Sequence, residues 1–230
     1  MLSDIIKQKI KEYALKDKPN ECCGLIVSKG NVKFLFPCKN IASNKENYFE
    51  MCPHDYLKAS RENKIIGMYH RQCNAGASLY DYIISYGHNI YSIVYSWKTD
   101  SFFEINSYLY KYIKYIGKEF EIGKQDCFSL IREFYKNEYN ININNYNRKD
   151  GWEKDNPNII QENYLKEGFT ETDLLNIKEG NIIEFGNYHF GIYINNNLLL
   201  HHRRNKLSNV EPLNDEYKRK ITHCYKYKNE

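Results

Sequence analysis

With 230 residues and 27.5 kDa, the chain exceeds the usual single-domain size, and two domains of modest size are expected. Hydrophobic residues at 42% and aromatics at 15%, with 22 tyrosines, supply compact cores and exclude a generally disordered chain. The 33 basic and 29 acidic residues leave a net charge of only +4, which excludes nucleic-acid binding by charge alone; no run approaches the roughly 18 apolar residues a membrane helix needs.

The opening MLSDIIKQKIKEYALKDKPNE places Ile5, Ile6, Ile10, Tyr13 and Ala14 near helical spacing with lysines between them. It predicts an amphipathic surface helix and lacks a signal peptide's apolar core, so the protein is expected to be made and kept in a cytoplasm until something else exports it. CCGLIVS and VKFLFPC predict a hairpin turning at Lys29 to Asn31, followed by a helix in HDYLKASREN and an apolar strand in KIIGMYH. After a polar loop, SLYDYIISYG predicts a helix closed by Gly87, then strands YSIVYSW and SFFEI complete a mixed α/β domain over residues 1–105.

From residue 106 to 230 the order is helices first and strands afterwards, so the expected class is α+β with two domains. NSYLYKYIKYIG reads as a solvated amphipathic helix despite its Tyr and Lys interleaving. The turn EIGKQD leads into CFSLIREFYKNEYN, whose Cys127, Leu130, Ile131, Phe134 and Tyr135 fall on one helical face. A polar stretch at 140–158 and a short helix precede an antiparallel set, GNIIEFG, YHFGIYIN and LLLHH, with THCYKYK as a terminal strand. The Asn-rich patches at 140–147 and 195–197 read as loops.

Seven cysteines, Cys22, Cys23, Cys38, Cys52, Cys73, Cys127 and Cys224, form an odd set without repeated spacing, so reduced thiols are expected rather than a disulfide framework or zinc knuckle. Cys127 differs from the others in its setting. It follows Asp126, a natural N-cap, at the start of the strongest helix of the second half, where the helix dipole and unpaired N–H groups favour thiolate. Beside an imidazolium, such a thiol is expected to titrate well below its usual value of about 8.5.

A nucleophile of this kind needs a base, and the base needs an orienting group. In YHFGIYI, His189 shares a strand face with Gly191, which has no side chain to obstruct approach, and three asparagines return the chain so that His201 can meet His189's far ring nitrogen. A lone strand histidine is more often a packed one; Cys127, His189 and His201 together point to catalysis. His54, His88, His202 and His223 show no partner and are expected to be exposed or capping.

GKEFEIGKQDCFSLIREFY, GNIIEFGNYHFGIYI and LLLHH resemble the NlpC-type branch of papain-like cysteine peptidases, over about residues 108 to 220. The resemblance implies Cys127 as nucleophile, His189 as base and His201 as the third, orienting residue. Two positions depart from the pattern. Phe120 stands where an aromatic hydroxyl is usual, weakening substrate orientation or oxyanion stabilisation, and Phe128 replaces the small residue of DCSG, narrowing the groove behind the nucleophile.

ECCGLIV and IIGMYHRQCNAGASLYD resemble the JAMM metallopeptidase fold, over about residues 1 to 104. That resemblance puts Glu21 on the general base, His70 on the first zinc histidine, Ser78 on the oxyanion-side serine and Asp81 on the carboxylate ligand. Gln72 stands in place of the second histidine and Cys73 in place of the proline, and the loop to Ser78 is shorter. His70 and Asp81 alone hold zinc too weakly for catalysis, so a retained fold with lost metal chemistry is expected, unless Cys73 replaces the missing ligand. No cofactor is required by the cysteine chemistry.

A JAMM-like domain followed by an NlpC-type domain resembles the tail assembly protein K family of long-tailed bacteriophages. The resemblance implies a tail-tip protein made in the infected host's cytoplasm and acting on peptidoglycan stem peptides, typically between D-glutamate and a diamino acid. Its partners would be other tail-tip proteins, with no nucleic acid and no membrane segment. The rival is an assembly factor whose peptidase geometry is inherited but unused; a host cell-wall amidase is disfavoured by the missing signal peptide.

Overall fold

The apolar spacing at the chain's start forms α1 (Asp4–Lys16), which buries Ile6, Ile10 and Ala14 and leaves Ile5 exposed. β1 (Cys23–Lys29) and β2 (Val32–Cys38) follow as an antiparallel hairpin. Along β1 the side chains alternate between two cores. Cys22 and Ile26 join Ile6, Ile10 and Ala14 on one face, while Cys23, Leu25 and Val27 join Ala59 and Met68 on the other. A strand covered on both faces reads as a continuous apolar run, as CCGLIV does.

The second of these cores is closed by α2 (Pro53–Glu62), and β3 (Lys64–Gln72) lies antiparallel to β1. α3 (Leu79–His88) then crosses to β4 (Tyr91–Ser96), parallel to β3, and β5 (Ser101–Ile105) closes a five-stranded sheet in the order β2-β1-β3-β4-β5. Gly87 does not close α3. The helix runs past it to Asn89, whose left-handed φ of 49° and N–H bonds to the Ser85 and Tyr86 carbonyls make the cap, a role Asn can take in place of glycine.

Residues Ser107–Tyr115 form a 3₁₀ helix rather than an α-helix. Leu109, Tyr112 and Tyr115 are buried at a spacing of three, which matches three residues per turn and not 3.6. The structure, a computed structural model, describes residues 3–73, 76–155, 159, 162–186 and 188–228. It divides into two units, residues 1–113 and 114–230.

In the second unit, α4 (Cys127–Tyr139) buries Phe128, Leu130, Ile131, Phe134 and Tyr135. The predicted polar stretch holds one helical turn, α5 (Trp152–Asp155); residues 156–158, 160 and 161, where the predicted short helix begins, lie outside the described residues. A six-stranded sheet follows from β6 (Phe169–Glu171), β7 (Ile182–Phe185), β8 (His189–Ile194), β9 (Leu198–His201), β10 (Asn209–Pro212) and β11 (Ile221–Tyr227), with α6 (Asp215–Lys218) before the last strand. Its order is β10-β9-β8-β7-β11-β6 with antiparallel neighbours throughout, and α4 packs on β8 through Phe128 and Phe190. The molecule is therefore α+β with two sheets, and no described helix is long and apolar enough to cross a membrane.

Gly191 decides the closeness of β8 and β9. It faces His201 across the ladder, and a Cβ there would lie 2.6 Å from Leu199 Cδ1 and 3.1 Å from His201 Cβ. Gly191→Ala is expected to destabilise the second unit by about 1–3 kcal/mol through overpacking and to push the strands apart at His201. Urea unfolding followed in that unit checks the loss.

Candidate active site

The start of α4 is fixed by one buried carboxylate. Asp126 accepts from the N–H of Gly123 at 2.6 Å and from the N–H and Oγ of Ser129 at 2.8 and 2.9 Å. The Arg148 guanidinium donates to both its oxygens at 3.1 Å, and Arg148 is itself buried and stacked on Phe128. Burial alone would raise the Asp126 pKa, but Arg148 and these donors hold it below the usual carboxylate range. Cys127, the next residue, is thereby set at the first turn of the helix, partly exposed.

Cys127 lies against β8, where the backbone N–H of Phe190, the residue after His189, reaches toward its sulfur. His189 opens the strand from Tyr188, a bulky residue held at the left-handed φ of 58°, a strained conformation of the sort found at functional sites. Because Gly191 carries no side chain, Leu199 and His201 of β9 pack against its backbone, and His189 reaches diagonally to His201, with Nε2 3.0 Å from His201 Nδ1. His202 turns the other way, its ring edge-on to Phe120 at 5.2 Å. His201, not His202, meets the strand histidine.

The electrostatics differ from the expectation of an ion pair. Burial pushes the Cys127 thiol up to about 12, with Asp126 adding to it and the Phe190 N–H opposing. Burial, then His201 and Arg203, depress His189 to about 3. Burial thus opposes ionisation of both groups, against the helix-start field that favours thiolate.

Sequence reasoning missed the groups behind His201. Glu211 Oε2 lies 3.5 Å from His201 Nε2. Arg203 donates to Glu211 Oε1 at 2.6 Å and the Tyr217 hydroxyl to Oε2 at 2.9 Å. The signal available was a single acid flanked by the apolar Val210, Pro212 and Leu213, a setting in which a carboxylate is usually paired. Arg148 was missed too, standing alone in a polar loop. Phe128 lies in the core and lines a narrow apolar groove of about 30 Å³ with Tyr146 and Phe190. His223, expected to have no partner, lies 3.4 Å from Glu184 Oε2.

In the first unit Glu21, His70, Ser78 and Asp81 also come together. His70 Nε2 is 3.5 Å from Asp81 Oδ1, and Asp81 Oδ2 is engaged by the Ser78 N–H and Oγ at 2.7 Å in a capping box. Burial, with Asp81 nearby, raises Glu21 to about 7. Gln72 hydrogen-bonds His70 and donates its amide to the Gly76 carbonyl at 2.6 Å, while His70 Nδ1 is buried without a hydrogen bond under the Phe49 ring. Among the described residues no three His, Cys, Asp or Glu side chains are placed to hold a metal ion, so the donor set does not fit zinc. Residues 74 and 75 of the shortened loop lie outside the described residues.

The second unit thus presents a thiol at a helix start against an antiparallel sheet that also carries a strand histidine and a second histidine 3.0 Å from it. Residues 111–226 match the model of the NlpC/P60 family, and the chain belongs to that family. Across 229 residues it is 25% identical to tail tip assembly protein K of Escherichia phage N15, covering 95% of this chain and 93% of that protein. Tail tip assembly protein K of Escherichia phage lambda is 27% identical over 117 residues, 49% of this chain and 58% of that protein. The resemblance to this tail protein family is thus borne out across both units. The solution structure of protein DSY2949 from Desulfitobacterium hafniense is similar at 19% identity and a TM-score of 0.36, covering 45% of this chain and 88% of that one.

Two expectations follow. Protein purified without added metal should carry far less than one zinc per chain by elemental analysis, and Gln72→His should raise that content. For acid stability, His189 titrates near 3 in the fold against an ordinary 6.5, so the unfolded chain takes up the proton first and stability is lost as pH falls from about 6.5. Glu21, raised to about 7 from 4.5, has the opposite sign and loses its contribution as pH rises through 7. Denaturation across pH should show His189→Asn flattening the acid limb and Glu21→Gln the neutral one.

Proposed function

We propose that the protein is a phage tail-tip assembly protein whose second unit is a cysteine peptidase acting on peptidoglycan stem peptides, with Cys127 as nucleophile, His189 as base and His201 orienting it. The His189–His201 contact at 3.0 Å, with Cys127 against the same strand, carries this reading. Membership of the NlpC/P60 family supports the peptidase kind, and similarity to tail tip assembly proteins over 95% of the chain supports the setting and partners among tail proteins. The first unit, on this proposal, keeps a JAMM-like fold over about residues 1–105 without its metal chemistry.

In the reaction, His189 takes the thiol proton as Cys127 sulfur attacks the peptide carbonyl. It returns that proton to the leaving amine, and the acyl group stays on sulfur as a thioester. Water, deprotonated by the same imidazole, then releases the acid. His189 uses its Nδ1 for these transfers, because its Nε2 is engaged by His201.

A second reading, an assembly factor with unused geometry, is favoured by the neutral, desolvated thiol and by Phe120, which offers His202 a ring edge and no hydroxyl. The two are separated by incubating the protein with purified stem peptides and following new amines by mass spectrometry. Cleavage is expected, with loss in Cys127→Ala and a fall of at least about 100-fold in His189→Ala. Alkylation of Cys127 by iodoacetamide should climb through alkaline pH without the plateau near pH 6 that an ion pair gives. No cleavage by the parent protein, with Cys127→Ala still complementing tail assembly, would establish the assembly role instead.

A further inference from the structure

We infer that Glu211 is a fourth member of the site, a positioning residue that fixes the tautomer of His201 and, through it, leaves His189 with a free basic nitrogen. The inference rests on the peptidase reading for its role in turnover but not for its geometry. A histidine pair joined by one hydrogen bond is ambiguous, since either ring can donate. Here His189 Nε2 faces His201 Nδ1 at 3.0 Å.

If His201 donates from Nδ1, its Nε2 carries a lone pair pointed at the Glu211 carboxylate. His189 then holds its own proton on Nδ1, the nitrogen needed for the thiol. If His201 instead carries its proton on Nε2, that N–H faces Glu211, its Nδ1 accepts from His189 Nε2–H, and His189 Nδ1 is free. The carboxylate selects the second arrangement, since it attracts an N–H and repels a lone pair.

The surroundings make the selection strong. His201 is 1% exposed, and its Nε2 is buried with no hydrogen bond of good geometry, so the Glu211 contact at 3.5 Å is the one available to it among the described residues. At that length the contact acts through charge more than as a formed hydrogen bond. Glu211 is kept charged although burial opposes it, because His201, Arg203 and Tyr217 together hold its carboxyl at about 2. The groups facing His201 are His189 from β8, Glu211 from β10, Tyr217 from α6, whose ring packs edge-on at 5.4 Å, and Arg203 beyond the end of β9. Only Glu211 among them presents a fixed negative charge.

The test uses the full chain with ¹⁵N-labelled histidine and Cys127→Ala, read by long-range ¹H–¹⁵N correlation at neutral pH. His201 should carry its proton on Nε2 and show an unprotonated Nδ1; a proton on Nδ1 overturns the proposal without any further variant. Glu211→Met should mix the two tautomers at His201, and Glu211→Gln, which keeps an acceptor, should restore the parent form in part. With Cys127 intact, Glu211→Met should lower kcat by at least about tenfold with KM little changed. An unchanged His201 tautomer in a folded Glu211→Met chain also refutes it. A parent protein that cleaves no peptide refutes the peptidase reading, while the tautomer measurement still decides the relay.

Discussion

The buried Asp126 carboxylate is the constraint on which the second unit's site depends. It ends the loop before α4, caps the helix through Ser129 and neutralises an arginine that has no water to turn to. Removing one partner of such a pair leaves an uncompensated charge and costs about 3–5 kcal/mol, far more than the cap alone, which is worth about 1 kcal/mol. The position of Cys127 is therefore set by Asp126 before it and by Arg148, 22 positions after Asp126 in sequence. Cys127 itself contributes little to holding its own place.

On the opposite side of the site, the sheet supplies rigidity of another kind. β8 and β9 are held close by the missing side chain at Gly191, and the rings of Phe185 and Tyr217 pack around the histidine pair. Desolvation follows from this packing, and it pushes the Cys127 thiol up and the His189 imidazole down, both toward the neutral form. In the first unit the same kind of enclosure surrounds Glu21, His70 and Asp81; there Ser78 engages Asp81 and Gln72 engages His70, while His70 Nδ1 stays buried without a hydrogen bond.

Much of this was legible in the residues because it rests on local rules. Period-two and helical apolar spacing announced β1, β8, α1 and α4, and Asp126 before Cys127 announced a cap. The alternation in YHFGIYI put His189 and Gly191 on one face, which is the geometry the strands adopt. What was hidden depends on distance in sequence. Nothing near Arg148 signals Asp126, and nothing near Glu211 signals His201; both pairs exist only after the sheet and helix pack. Burial of the Cys127 thiol, which opposes the helix-start field, is likewise a property of the assembled unit, whereas the helix-start position can be read from a dipeptide. The 3₁₀ helix was misassigned because its Tyr and Lys interleaving reads as an amphipathic helix, whereas the spacing of three between the buried Leu109, Tyr112 and Tyr115 belongs to a 3₁₀ turn.

The connectivity of the site has a bearing on the order in which it forms. His189 and His201 are 12 residues apart and joined by a turn in which Asn196 and Asn197 adopt left-handed φ values of 66° and 60°. Cys127 is separated from His189 by roughly 60 residues, so closing that longer loop costs about 1.5 kcal/mol more in chain entropy. Contacts that are near in sequence are the cheaper ones to make early. The histidine hairpin is thus the local, fast-forming part, and the docking of α4 is the late, non-local one. A chain still folding, or newly emerged from the ribosome, holds the histidine pair before the sulfur of Cys127 has been brought against the same strand.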